Sequence, residues 1–80
     1  MNGTTVEYII VSVLGEVEKP VYVYEFSAND TTNLASATTY EELDTAVQSA
    51  NLLTQMMTLQ GESKVFEVRK VTTTVEGVEG

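Results

Sequence analysis

The sequence contains no cysteine and no histidine. Without cysteine the chain has neither a disulfide bond nor a thiolate nucleophile. Without histidine it lacks the commonest general base and the commonest zinc ligand. Neither common pattern of Gly-rich phosphate loop is present. We therefore predict that the protein is not an enzyme, with no catalytic residues, no metal ligands and no cofactor.

Basic residues are also scarce, since four lysines and arginines stand against twelve acidic residues and give a net charge of −8. Binding to nucleic acid or to anionic membranes requires basic side chains, so we predict neither as a direct partner. The acidity favours solubility. An alternative interpretation is an acidic inhibitor that mimics nucleic acid and blocks a basic DNA- or RNA-binding partner, with its acidic patch at Glu41, Glu42 and Asp44.

No apolar run approaches the ~18 residues of a membrane span, and the first residues carry no basic leader typical of a signal peptide. We expect a soluble, cytoplasmic protein. A length of 80 residues corresponds to one domain, over residues 1–80, with residues 76–80 as a frayed tail.

Two β-branched and aromatic segments open the chain and predict strands over residues 5–14 and 21–26. The charged stretch from Gly15 to Pro20 predicts the hairpin connection. Residues 27–38 are small and polar, which predicts a loop of about a dozen residues.

A helix is predicted from Thr39 to about Gln60, with Thr39 and Glu42 as a capping box and Gly61 as the C-terminal stop. Its apolar positions recur every three or four residues, and a second line of Leu52, Met56 and Leu59 widens the apolar arc. This wider end either lies under the sheet or contacts another molecule.

The last predicted strand covers residues 64–75. Its apolar positions change parity after Val68, which predicts a bulge near Arg69 and Lys70 or a strand that ends there. The predicted fold is therefore α+β with the order ββαβ. Its three-stranded antiparallel sheet has the order 2-1-3, with one helix packed on one face.

One helix covers one face of a sheet, and the first strand is apolar on both faces. Pairing Leu14 with Val21 gives one face without charge, which we assign to the helix together with Phe66 and Val68. The other face has an apolar centre and a polar rim, as protein interfaces do. We predict that it is the partner interface, formed by Tyr8, Ile10, Ser12, Leu14, Val21, Val23, Glu25, Glu67 and Arg69.

Two segments, YEELDTAVQSANLLTQMM at residues 40–57 and KVFEVRKVTTTV at residues 64–75, follow each other in a short acidic chain without cysteine or histidine. In this layout the chain resembles small accessory proteins encoded by phages and prophages of Gram-positive bacteria. The resemblance implies a non-catalytic protein that binds a phage or host component in the host cytoplasm. Some proteins of this kind inhibit host defence or DNA-acting enzymes.

The function predicted from the sequence is that of a small acidic protein-interaction module. We expect its partner to be a protein, first of all a second copy of itself in a homodimer formed through the uncovered sheet face.

Overall fold

The computed structural model describes residues 3–24 and 27–75, and over these ranges the chain forms five strands and one α-helix. The predicted α+β class, with one helix and an antiparallel sheet, is confirmed. The predicted strand count of three is wrong, because two short strands form within residues 27–40. The elements are β1 (Gly3–Leu14), β2 (Val17–Tyr24), β3 (Ser27–Asp30), β4 (Thr39–Tyr40), α1 (Leu43–Leu59) and β5 (Val65–Val75).

Strand β1 lies at the centre of the sheet. One of its edges pairs with β5 along almost the whole strand, from Val13 opposite Val65 to Gly3 opposite Val75. Its other edge pairs first with β2 and then with β4, which places Tyr8 opposite Tyr40. The first strand therefore lies between the second strand and the last one, as the sequence predicted.

The ladder between β1 and β2 ends where Pro20 lies opposite Val11. Beyond this residue β2 pairs with β3 along its other edge, to which the Pro20 carbonyl points and where it accepts from the Thr31 N–H (2.9 Å). Thr38 then bonds to the edge of β2 that β1 has left: its N–H donates to the Val21 carbonyl (3.2 Å), and its hydroxyl accepts from the Val23 N–H (2.8 Å). Most of the segment that was predicted as a long loop therefore forms ordered structure, which pairs with β1 and β2 where these two strands separate.

The turn between β1 and β2 is tighter than predicted. It contains only Gly15 and Glu16, and Gly15 has a φ of +63°, which favours glycine. Leu14 consequently pairs with Val17 and not with Val21. The shift is four residues, an even number, so the predicted grouping of Ile10, Ser12, Leu14, Val21 and Val23 on one face is unchanged.

The assignment of the helix to the other face is wrong. Ile10 and Val21 have no exposed surface, and they pack with Ala50, Leu53 and Phe66 beneath α1. The reason lies in β5: its register places Phe66 and Val68 on the Ile10 face and the charged Glu67 and Arg69 on the opposite one. Burying charges beneath a helix is costly, so α1 covers the face that carries Phe66.

The second face of β1 is also covered at its centre. Ile9 and Val11 are buried there with Ala37, which follows a short 3-10 helix over Leu34–Ser36, and Val13 and Val71 pack against them. Both faces of β1 are thus dry in the middle, because α1 lies over one and the Leu34–Ala37 segment over the other. This accounts for the nearly uninterrupted apolar run in the sequence.

The helix begins later than predicted. Thr39 belongs to β4, and Glu42 is the N-cap residue without a side-chain capping bond, so the predicted capping box is wrong. The predicted stop at Gly61 is confirmed: its φ is +79°, its N–H donates to the Thr58 carbonyl, and the Glu62 N–H donates to that of Met57. These two bonds form a Schellman motif.

The predicted bulge or strand end near Arg69 and Lys70 is wrong, because the β1–β5 register is continuous from Val65 to Val75. The change in apolar parity has another cause. Phe66 and Val68 face the helix, whereas Val71 faces the cluster around Ile9 on the other side of the sheet. The predicted tail over residues 76–80 lies outside the described residues.

Candidate interaction surface

The residues predicted as one partner interface are distributed over both faces of the sheet. Tyr8 is half-buried, Ile10, Ser12 and Val21 are buried, and Val23 packs against the core beneath α1. Leu14 is exposed at the hairpin end, Glu67 and Arg69 lie on the opposite face, and Glu25 lies outside the described residues. The predicted interface is therefore not available as a single surface, because the protein's own helix occupies its centre.

Ser12 takes part in a polar cluster at one end of the core. Its hydroxyl donates to Asp30 Oδ1 (2.7 Å), and Lys64 Nζ lies 3.3 Å from Asp30 Oδ2. Partial burial alone would raise the pKa of Asp30. The hydrogen bonds from Ser12 and Lys64, with the charges of Lys64 and Lys19, outweigh this effect and lower the pKa below its ordinary value. The cluster joins β1, β3 and the start of β5.

Arg69 forms ion pairs on the second face of the sheet, the face that carries Ile9 and Val11. Its guanidinium pairs with Glu18 on β2 and lies 3.7 Å from Glu67 on its own strand. Its Nη1 also donates to the Val68 carbonyl (3.1 Å). All three charged side chains are two-fifths to one-half exposed, so these pairs contribute little to stability and leave a polar surface.

The second apolar line of the helix lies away from the sheet. Leu59 is 86% exposed and Leu52 is 51% exposed, while Met56 is half-buried. Of the two alternatives for this wider end, burial under the sheet is therefore wrong for both leucines. Contact with another molecule stays a prediction.

A shallow groove of about 460 Å³ lies on the second face, where the Leu34–Ala37 segment meets β1 and β5. Ile9 and Val71 form its floor, and Glu7, Thr39 and Thr73 contribute polar side chains. The groove is open and mostly apolar.

The outer edge of β5 is protected by side chains only at its beginning. Thr54 on α1 accepts a hydrogen bond from the Phe66 N–H (2.9 Å), and Arg69 donates to the Val68 carbonyl. The Phe66 N–H therefore points away from β1. Since backbone groups alternate along a strand, those of Lys70, Thr72 and Thr74 point outward too. Within the described residues these groups have no strand or side-chain partner.

From Tyr8 toward the N-terminal end of β1, the sheet narrows to two strands. Residues 3–7 of β1 pair with residues 71–75 of β5, and within the described chain no third strand joins them. We call this two-stranded ribbon the arm. It gives the molecule an extent of 56 Å against 23 and 21 Å, and a radius of gyration of 14.7 Å. A compact chain of this length would have a radius of gyration of about 12 Å.

The predicted acidic patch lies at the start of the helix. Glu41, Glu42 and Asp44 are all exposed, and the ion pairs found among the described residues do not involve them. Across residues 3–24 and 27–75, no group of three acidic side chains is placed to hold a metal ion.

Comparisons with known proteins do not identify a relative. No protein-family model matches the chain, and neither the curated proteins nor the solved structures gave a match. In the part of the chain that the structure describes, no helix has the length and apolar character needed to cross a membrane.

The open edge of β5 was not among the predicted sites, although the sequence carries a signal for it. The segment from Val71 to Val75 consists of valine and threonine only, without the proline or interior glycine that would weaken a strand. The change in apolar parity after Val68 predicted an interruption, whereas β5 is one continuous strand of eleven residues.

Proposed function

We propose that the chain is a small, non-catalytic protein-interaction module that binds a protein partner by adding a β-strand to the outer edge of β5. The observation that carries this proposal is the row of outward backbone groups at Lys70, Thr72 and Thr74, which lack partners among the described residues. Strand addition to an exposed sheet edge is a recurrent mode of protein recognition.

The energetics of the arm support the proposal. A two-stranded ribbon is marginally stable in water, whereas three strands with an apolar face are stable. In the arm, Val6 is 40% exposed and the threonines on both strands are exposed. A third strand would complete the hydrogen bonds of β5 and cover part of this surface.

This surface replaces the sheet face that the sequence predicted. The buried Ile10 and Val21 contribute to the protein's own core, so the binding site moves from a face of the sheet to its edge. Association with a phage or host component, as the resemblance implies, stays a prediction.

The proposal is tested by cross-linking in cells that express the chain. Thr72→Pro removes an outward N–H and places a ring at the edge, and it leaves the bonds between β5 and β1 in place because Thr72 does not donate to β1. Thr72→Val is the matched control, since it keeps the N–H and the β-branched shape. We expect partners, including a second copy, to be captured by the wild type and by Thr72→Val and lost with Thr72→Pro.

Capture that is equally strong with Thr72→Pro would contradict binding at this edge. An absence of any specific cross-link to the wild type, with the folded protein abundant in the cells, would contradict the interaction function itself.

A second candidate function is the acidic inhibitor of a basic nucleic-acid-binding protein. It is favoured by the exposure of Glu41, Glu42 and Asp44 at one end of the helix, without an ion pair among the described residues. Replacing the three residues with Gln, Gln and Asn is expected to weaken binding to such a partner, and added salt is expected to weaken it as well. Binding that is indifferent to both changes would exclude this function.

A further inference from the structure

We propose that the strand added to β5 is the β5 strand of a second copy, antiparallel to the first, with the two-fold axis passing at Thr73. This inference rests on the proposed function, and it adds the identity of the partner and the register of the pairing.

The sequence of the edge is self-complementary. Residues 71–75 read Val-Thr-Thr-Thr-Val, the same in both directions. An antiparallel pair centred on Thr73 therefore places each valine opposite a valine and each threonine opposite a threonine. Cross-strand pairs of β-branched residues and of threonines stabilise sheets. A two-fold axis requires a surface that is complementary to itself, and this segment meets that requirement.

The backbone phase fits the same register. Thr72 and Thr74 present their N–H and carbonyl groups outward, as the bond from the Phe66 N–H to Thr54 establishes. In the pair centred on Thr73, Thr72 of each copy exchanges two hydrogen bonds with Thr74 of the other. Thr73 itself occupies a non-hydrogen-bonded position, because its backbone groups face β1.

The charges of β5 support self-pairing in a protein whose net charge is −8. Among the described elements, β5 alone has more basic than acidic residues, with Arg69 and Lys70 against Glu67. Two acidic copies repel each other least where their edges are least acidic.

The shape of the molecule permits this pairing. The arm extends from the helix-covered part of the sheet, and among the described residues the hydrogen bond from the β5 edge to α1 lies at Phe66, outside the arm. Antiparallel arms place the two helical bodies at opposite ends of the pair. A single added strand buries less than the ~1,000 Å² of a stable interface, so we expect a dimer that depends on concentration.

Sedimentation equilibrium of the purified protein tests whether it pairs with itself. We expect the apparent mass to rise from 8.7 kDa toward twice that value with concentration. Thr72→Pro should raise the dissociation constant about tenfold or more, because the substitution is present in both copies and each dimer therefore loses the hydrogen bond twice. Thr72→Val should leave it nearly unchanged.

A cysteine at the axis tests the register. The chain has no cysteine, so Thr73→Cys introduces a single thiol. Non-hydrogen-bonded antiparallel pairs have Cα atoms about 4.5 Å apart, within the range that a disulfide requires. The matched control is Thr5→Cys, which lies opposite Thr73 on β1, is similarly exposed, and is one strand further from the axis. Under mild oxidation we expect a covalent dimer from Thr73→Cys and not from Thr5→Cys.

Charge reversal tests the ends of the pair. Lys70→Glu should weaken the dimer, because it makes the least acidic edge of each copy more negative.

The outcomes separate this inference from the proposed function. A wild type that stays monomeric at millimolar concentration contradicts self-pairing, while edge binding to another protein is still judged by the Thr72→Pro comparison in cells. A disulfide that forms in Thr5→Cys and not in Thr73→Cys, or a dimer insensitive to Thr72→Pro, places the interface elsewhere and overturns the inference.

Discussion

At the scale of single residues, the polar cluster around Asp30 shows how a serine comes to be buried in an apolar strand. Ser12 is 3% exposed, and its hydroxyl is satisfied by the Asp30 carboxylate, which also contacts Lys64. A buried hydroxyl without such a partner would be costly. The cluster therefore secures the short strand β3, whose composition alone does not favour a strand.

The Ser12–Asp30 hydrogen bond is open to a double-mutant cycle. Ser12→Ala should lower the free energy of unfolding by about 1 kcal/mol, because it removes a partner of a partly buried carboxylate. In an Asp30→Asn background the same change should cost less, since the charged acceptor is already gone. Urea denaturation of the four proteins measures both values, and equal costs in the two backgrounds would show that the residues do not interact.

The lowered pKa of Asp30 has a consequence for acid stability. A carboxyl whose pKa is lower in the folded than in the unfolded state stabilises the fold above the unfolded value, close to 3.8. That contribution is lost as the pH falls through the lower folded pKa. We therefore expect the stability advantage of the wild type over Asp30→Asn to be constant near neutral pH and to shrink as the pH falls below about 5.

Denaturation of both proteins at a series of pH values, from about 7 down to about 2.5, tests this expectation because the range spans the titration of a carboxyl group. Parallel stability curves for the wild type and Asp30→Asn would show that Asp30 has the same pKa folded and unfolded.

At the scale of elements, the inner edge of β5 bonds to β1, and the outer edge is the proposed binding site. Proline substitutions distinguish the two edges. Thr72→Pro removes an outward N–H and should change the free energy of unfolding of the monomer by less than about 1 kcal/mol. Thr73→Pro removes a bond to β1 and should cost more than about 1 kcal/mol. Thermal unfolding at a concentration low enough to keep the protein monomeric makes the comparison. The reverse ranking would mean that the N–H of Thr73, and not that of Thr72, points outward.

An element could be predicted from the sequence when a local pattern determines it. The central position of β1, the helix and its stop at Gly61 depend on local patterns: a run of apolar β-branched residues, a period of three to four, and a glycine. The face on which the helix packs depends on the register of β5, which joins the first strand of the chain to the last. No local pattern specifies that register.

The two short strands had no signal of their own. β3 consists of serine, alanine, asparagine and aspartate, and it pairs because the edge of β2 that faces away from β1 requires a partner. β4 contains only Thr39 and Tyr40 and fills the place on β1 that β2 vacates. The candidate interaction surface was missed for a related reason, because the edge of a strand becomes visible only when every neighbour of that strand is known.

At the scale of the whole molecule, the net charge of −8 and the proposed self-pairing act against each other. Bringing two copies together places like charges within a few Debye lengths, and the four bases are too few to balance them. The ion pairs that Lys64 and Arg69 form are internal to one copy. Long-range repulsion should therefore weaken the dimer most at low ionic strength.

We accordingly expect the dimer to tighten as NaCl rises from about 10 mM to 150 mM, because the Debye length falls from ~30 Å to ~8 Å over this range. Sedimentation equilibrium across the series measures the dissociation constant. The acidic-inhibitor function predicts the opposite dependence, since attraction between an acidic patch and a basic partner is weakened by screening. A dimer that loosens with salt would mean that attraction between charges, and not the strand edge, holds the two copies together.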